Sequence, residues 1–171
     1  VGTSLPNTRV VSNSGLLTFA GGLDVAGTAG TTVSILGGAS QVAGAGGYAI
    51  TGVVTGTGTL EKNGAGTLLL NPSSMSGFSG ALRMSSSATG TQSSVRLTTP
   101  IVLGTRTATG TGGVIDMNGG ILEVLMDAPS LQSGATPANA NVYQRNNSTF
   151  YVDHALGSTM TGGTLTLGQW A

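Results

Sequence analysis

His154 is the only histidine of the chain, and an acid, Asp153, precedes it directly. A histidine that lies between a serine and an acid can activate the serine hydroxyl as a nucleophile. Adjacent residues of a strand point to opposite faces, so Asp153 is not placed to orient His154. The sequence also contains no Gly-x-Ser-x-Gly nucleophile elbow. We therefore interpret His154 as a structural or surface residue.

The carboxylates are the second set of residues with chemical potential. They are Asp24, Glu61, Asp116, Glu123, Asp127 and Asp153. Glycosidases and polysaccharide-cleaving β-helix enzymes need two carboxylates on one face. Asp116 and Glu123 can approach on successive strands, and so can Glu123 and Asp127. Six scattered acids equally fit solvating charges. We predict no catalytic residue and no enzyme activity, with a carbohydrate-active β-helix enzyme as the alternative.

Two rows of threonines present hydroxyls on one face if they lie on strands: Thr55, Thr57 and Thr59, and the alternate threonines of 105–111. Stacked rows of this kind would suit ice or glycan binding, the other alternative. Threonine is also common in strands for its backbone preference alone, and we favour that interpretation. The glycine runs open no helix and lack the spacing of calcium-binding repeats, so we predict no cofactor and no metal site.

Short strands must position these residues, because no segment has the period of a helix. Runs of three to five residues alternate between apolar and polar positions and end at Gly, Asn or Ser. Clear examples are Leu16–Phe19, Ser94–Leu97 and Ile121–Val124. Gly pairs often precede a Leu-x-Leu or Leu-x-Val run, at irregular spacing. This pattern predicts an all-β fold, a right-handed parallel β-helix (β-solenoid) with glycine turns and projecting loops.

A coil of roughly 20–25 residues, at the low end of solenoid periods, would give about seven or eight coils. We expect one solenoid segment over residues 1–171, as a section of a longer chain or a repeating unit. Residues 125–141, rich in Ala, Pro, Ser and Asn, predict a projecting loop. Alternation places Leu122 and Val124 inward and Glu123 outward. The adjacent charges Glu61 and Lys62 predict an exposed pair at a turn.

The composition excludes several classes of protein. Charged residues are 7% of the chain and the formal net charge is zero, against roughly 25% charged in an ordinary domain. Without a basic stripe, nucleic-acid binding is not expected. There is no cysteine, which excludes disulfides and thiolate metal sites. No apolar run approaches the ~20 residues needed to span a bilayer, so we expect no membrane-spanning helix in this segment.

Residues 58–70, followed by 76–82, resemble the autotransporter-associated β-strand repeat. That repeat runs Gly-x-Leu-x-Lys-x-Gly-x-Gly-Thr-Leu-x-Leu, then a variable loop, an aromatic-x-Gly and a closing strand. Residues 115–124 and 148–153 resemble, more loosely, strands that follow such repeats. The resemblance implies a passenger-type β-helix outside a Gram-negative-type cell, within a long polypeptide, and brings no shared catalytic residues. No membrane-barrel translocator follows in this sequence, so it assigns no mode of secretion or anchoring.

These observations predict a structural and adhesive extracellular protein, secreted or associated with the outer membrane at the bacterial cell surface. It would act as a stalk, a self-assembling filament or a matrix component. No capping helix or charged cap is visible in the sequence, and uncapped strand edges favour pairing with another chain. We therefore expect head-to-tail self-association, with a surface glycan or another cell-surface ligand as a further candidate partner.

Overall fold

A computed structural model of the protein describes residues 3–4, 9–12, 16–25, 32–37, 47–86, 92–99, 101–103, 114–127, 130–133, 141–155, 157–159, 166–167 and 169–170. Within these residues the chain forms twenty β-strands and no helix. The prediction of an all-β fold is confirmed. In the part of the chain that is described, no helix is long and apolar enough to cross a membrane.

The strands are short because glycine and small polar residues interrupt them. In chain order they are β1 (Thr3–Ser4), β2 (Arg9–Ser12), β3 (Leu16–Phe19), β4 (Leu23–Val25), β5 (Thr32–Gly37), β6 (Gly47–Ile50), β7 (Val53–Gly56), β8 (Thr59–Asn63), β9 (Thr67–Leu70), β10 (Ser74–Phe78), β11 (Ala81–Ser85), β12 (Ser94–Leu97), β13 (Ile101–Leu103), β14 (Val114–Asn118), β15 (Ile121–Leu125), β16 (Ser130–Ser133), β17 (Asn141–Gln144), β18 (Thr149–Asp153), β19 (Thr166–Leu167) and β20 (Gln169–Trp170).

Except between β10 and β13, each strand pairs with the strand three places further along the chain, and all of these pairs are parallel. The strands form three sets. The first set holds the sheet β1-β4-β7-β10 and the sheet β13-β16-β19, the second holds β2-β5-β8-β11-β14-β17-β20, and the third holds β3-β6-β9-β12-β15-β18. We call one strand of each set, taken in chain order, a repeat. This stacking is the arrangement of a β-solenoid.

Paired residues of successive repeats are between 20 positions apart (Thr3 and Leu23) and 36 apart (Ser130 and Thr166). The upper limit exceeds the predicted 20–25, because turns of unequal length connect strands that stay in register. Within the segment 125–141 predicted as a projecting loop, Ser130–Ser133 is instead a strand that pairs with β13 and β19. Residues 128–129 and 134–140 lie outside the described residues, and for them the loop stays a prediction.

Apolar side chains stack on one another through the interior. In the second set, Leu60 pairs with Leu82 and Leu82 with Ile115, and all three side chains are buried. In the third set, Leu122 and Val124 are buried while Glu123 between them is half-buried, as alternation predicted. Burying each such side chain contributes roughly 1.5–3 kcal/mol. Because each repeat covers its neighbour, the core is a series of ladders along the stacking direction.

Gly56 shows why glycine recurs at the turns. Its φ is 109°, and a Cβ there would lie 2.1 Å from the Val25 carbonyl oxygen of the preceding repeat. An L side chain would therefore meet both backbone strain and a hard clash. Gly157 has a similar φ of 82°, but no atom of the described residues lies within 4 Å of the Cβ position. Comparing the two glycines therefore separates the energetic cost of a positive φ from the cost of a clash with the preceding repeat.

We expect Gly56→Ala to lower the free energy of unfolding by more than about 3 kcal/mol, since the clash adds to the ~1–2 kcal/mol cost of the left-handed conformation. Gly157→Ala should lower it only by that conformational cost. Urea unfolding of both variants, followed by circular dichroism, measures the difference. Equal losses would show that stacking distance is not what requires glycine at position 56.

Candidate functional site

Lys62 is buried inside the solenoid, so the prediction of an exposed Glu61–Lys62 pair is wrong. Its side chain is 0% exposed and stacks in the ladder of Met84 and Met117. The ammonium donates three hydrogen bonds, to the carbonyl oxygens of Asn63 (3.0 Å), Gly64 (2.9 Å) and Ala65 (2.9 Å). An ammonium has three donors, and all of them are used here.

The turn after β8 is shaped to receive this ammonium. Gly64 and Gly66 have φ values of 73° and 82°, which curl the chain back over the end of the Lys62 side chain. Desolvation lowers the pKa of Lys62 to about 8, so the side chain still carries its charge at neutral pH. The glycines of this turn therefore serve turn geometry, and the carbonyls of Asn63, Gly64 and Ala65 hold an internal cation.

Charged side chains on the outer face of the second set stack with alternating sign. The register aligns Glu61 with Arg83 and Arg83 with Asp116. Asp116 accepts hydrogen bonds from Nε of Arg83 and Nε of Arg145, both at 2.9 Å, and is only 2% exposed. Glu61 accepts from the hydroxyls of Ser34 (2.9 Å) and Ser85 (2.8 Å). Opposite charges on neighbouring strands stabilise the stack, whereas like charges would oppose it.

Asp116 and Glu123, for which the sequence predicts an approach, lie on successive strands that belong to different sets and do not pair. Asp116 lies on β14 in the second set and Glu123 on β15 in the third. Glu123 is held by Arg96 at 2.7 Å and by the hydroxyl of Ser94. A glycosidase pair needs one protonated and one free carboxylate around a sugar. Each of these two carboxylates is instead bonded to arginine of the preceding repeat.

His154 lies beside Asp127 of the preceding repeat, with Nδ1 3.5 Å from a carboxylate oxygen. The hydroxyl of Ser158 also donates to Asp127, and this bond is the main reason why the pKa of Asp127 is lowered. A catalytic triad needs the serine hydroxyl to donate to the imidazole, with the acid on the other side. Here histidine and serine both contact the acid, which is the geometry of a surface bridge between two repeats.

Asp153 has its own partners on β18. Its carboxylate accepts from the backbone N–H of His154 (2.8 Å) and from the hydroxyl of Tyr151 (2.9 Å), and these bonds lower the pKa of Asp153 in that order. The hydrogen bond from Tyr151 to Asp153 also raises the pKa of Tyr151. No group of three or more His, Cys, Asp or Glu side chains that would suit a metal ion occurs among the described residues.

The first of the two predicted threonine rows, Thr55, Thr57 and Thr59, does not lie on one strand. Thr55 lies on β7 and Thr59 on β8, two strands of different sheets, so the first row is divided between two faces. The hydroxyl of Thr55 donates to Asp24 (2.9 Å) and so joins two successive repeats. The second row, in 105–111, lies outside the described residues, and ice or glycan binding there stays a prediction.

A polar groove lies where β11, β14 and β17 of the second set end. Its volume is about 630 Å³, and it is open to solvent along one side. We call it the amide groove after its prevailing side chains; its lining residues are Ser86, Gln92, Gly119, Gln144, Arg145, Asn146 and Asn147. Sequence reasoning missed it, because these residues come from three repeats and show no shared spacing. The groove could have been found only by knowing which residues of successive repeats are paired.

Comparisons with protein-family models, with curated proteins and with solved structures found no match to this chain. The contacts described above are therefore the basis for assigning a role. They show carboxylates engaged within the stack and one groove lined with neutral amides.

We expect Asp116→Asn to lower the free energy of unfolding by about 2 kcal/mol, because two arginines lose their common charged acceptor in a buried position. Arg145→Gln should cost less than about 1 kcal/mol, because its side chain is 62% exposed and Arg83 still holds Asp116. Urea unfolding at pH 7 tests the pair. A cost for Arg145→Gln as large as for Asp116→Asn would contradict this division.

We expect the free energy of unfolding of the unaltered chain, relative to that of Lys62→Met, to rise with pH between about 8 and 10.5. In that window the unfolded chain binds more protons than the native chain, so the free energy of unfolding rises, by at most about 3 kcal/mol. The Lys62→Met variant fits the methionine ladder and has no titrating group at this position. It is the matched reference, because tyrosine ionisation at high pH affects both chains alike. Unfolding curves of both chains from pH 7 to 10 give the difference; a constant or shrinking gap would show that the pKa is not lowered.

Proposed function

We propose that this chain is a section of a structural, adhesive extracellular β-solenoid without enzymatic activity. The proposed architecture is a right-handed parallel β-helix whose repeats are coils. Parallel strands joined by crossovers are right-handed in nearly all proteins. The protein would form a stalk at a bacterial cell surface, or a secreted filament or matrix, with the outer membrane or the exterior as its location.

The observation that carries this proposal is the uninterrupted stack of the second set, in which seven strands from β2 to β20 pair in parallel. Such a stack has no natural limit, since each repeat rests only on its neighbours. Length and stiffness are what it supplies most directly. The charged groups, which enzymes expose to their substrates, here bond strand to strand.

The resemblance to the autotransporter-associated repeat belongs to this proposal. The observed strands fit the repeat's order: β8 and β9 flank the glycine turn, and β11 is the closing strand after Phe78-Ser79-Gly80. The motif lysine, Lys62, is the residue that the turn carbonyls enclose. These features give the lysine and the glycines of the turn a physical reason, and they support the proposal of a passenger-type β-helix.

Head-to-tail association is proposed at the two outer strands of the third set. Within the described residues, β3 pairs only with β6 and β18 only with β15. The exposed fractions of Leu17 on β3 and of Val152 on β18 are 39% and 42%, although their ladder partners are buried. A strand edge beside exposed apolar groups favours addition of another strand. A second copy, or a further part of the same polypeptide, would complete the ladder.

We expect the chain to self-associate with rising concentration and Val152→Lys to weaken that association at least tenfold, because a charge would then enter the ladder. Val53→Lys is the control, since Val53 is similarly exposed (47%) but lies on the inner strand β7. Sedimentation velocity across a concentration series measures both. A chain that stays monomeric at high concentration would contradict assembly from subunits. The remaining explanation would be that the stack continues within one longer polypeptide.

The rival assignment, a carbohydrate-active enzyme, has a separate test. Release of reducing ends from polysaccharides, abolished by Asp116→Asn or Glu123→Gln in a folded variant, would overturn the non-enzymatic proposal. Because both carboxylates are bonded to arginine, we expect no such release.

A further inference from the structure

The amide groove offers a recognition surface that the stacking of the strands does not use. We infer that it binds a neutral oligosaccharide. The inference deepens the adhesive role proposed above and rests on it for its biological meaning. The binding itself is measured on the chain as it is, independently of assembly.

Amide side chains set the chemistry of the groove. Gln92 and Asn147 are exposed and have no hydrogen-bond partner among the described residues. Gln144 donates its Nε2 to the carbonyl oxygen of Ser148 at 3.4 Å, which leaves its Oε1 as an acceptor. An amide combines two donors with an acceptor oxygen. The vicinal hydroxyls of a sugar ring need that combination, because each hydroxyl both donates and accepts.

The charges around the groove favour a neutral ligand. Among the described residues that line it, Arg145 alone is ionisable, and its Nε is bonded to Asp116. Along the adjoining face, Glu61, Arg83 and Asp116 alternate in sign. Polyanions such as nucleic acids or sulfated glycans bind through surplus cations and release of counterions. This face has no such surplus, so hydrogen bonding is the main means of recognition.

The groove is long enough for more than one linked sugar ring. Ser86 and Gln92 belong to the repeat of β11, Gly119 to the next, and Asn147 to the one after it. With strands ~4.8 Å apart, three repeats extend the groove over roughly 10 Å. Its volume of about 630 Å³ is within the usual range of ligand sites.

The floor of the groove is held in place before any ligand arrives. The backbone N–H of Gly119 donates to the hydroxyl of Ser148 (2.9 Å), which in turn donates to the carbonyl of Met117 (2.9 Å). Asn146 donates its side-chain amide to Asn118 of the preceding repeat. Such preorganisation lowers the entropy cost of binding. Asn147, between Asn146 and Ser148, is therefore presented from a preorganised base.

The test is calorimetric titration of the chain with four neutral probes: maltohexaose, cellohexaose, xylohexaose and N-acetylchitohexaose. We expect at least one probe to bind. The double variant Gln92→Ala/Asn147→Ala should bind it at least tenfold more weakly, which corresponds to about 1.4 kcal/mol. Ser73→Ala is the matched control, because Ser73 is also exposed but lies between β9 and β10, outside the groove. It should bind as the unaltered chain does.

Three outcomes would overturn the inference: no neutral probe binds at millimolar concentration, the double variant binds as well as the unaltered chain, or a heparin hexasaccharide binds more tightly than every neutral probe. Both substituted side chains are exposed, so the variant should keep its melting temperature, which circular dichroism verifies. Sedimentation of the same variant separates the two proposals, because loss of glycan binding should leave self-association intact.

Discussion

In-register stacking of parallel strands is the constraint on which the rest of this structure depends. It brings each residue onto its counterpart in the next repeat, so a choice at one position limits the choices above and below it. Leucine stacks on leucine inside, as Leu60 and Leu82 do, and opposite charges stack outside, as Arg83 and Asp116 do. Where two backbones approach too closely for any side chain, only glycine remains, as at Gly56.

The same constraint explains where the few charges go. Each of the six carboxylates accepts a hydrogen bond from another group of the chain: Asp24, Glu61, Asp116, Glu123, Asp127 and Asp153. Lys62, the only lysine of the sequence, is enclosed by its own turn. Among the described residues, most of these acids bond to a neighbouring repeat, and Lys62 closes a turn. The amide groove differs from these charged contacts, because amide side chains prevail in its lining.

Much of the fold could be predicted from local patterns. Alternation placed Leu122 and Val124 inside correctly, because a residue's face depends only on its immediate neighbours. For Lys62 two rules give opposite predictions. Alternation from Leu60 places its side chain inside, whereas its charge predicts an exposed position, and here alternation is correct. The groove and the Asp127–His154 contact were beyond sequence reasoning. They join residues whose separation varies from repeat to repeat, and unequal turns hide the register.

Stacking by repeats also determines how the molecule would yield to a pulling force. Tension along the stacking direction loads the ladder between one repeat and the next, and each ladder is independent of those further along. Repeats would then peel away singly instead of rupturing together. Paired positions are 20 to 36 residues apart, so each release would add roughly 70–120 Å of chain at about 3.4 Å per residue. A stack of such repeats would lengthen stepwise under tension and keep its remaining repeats folded.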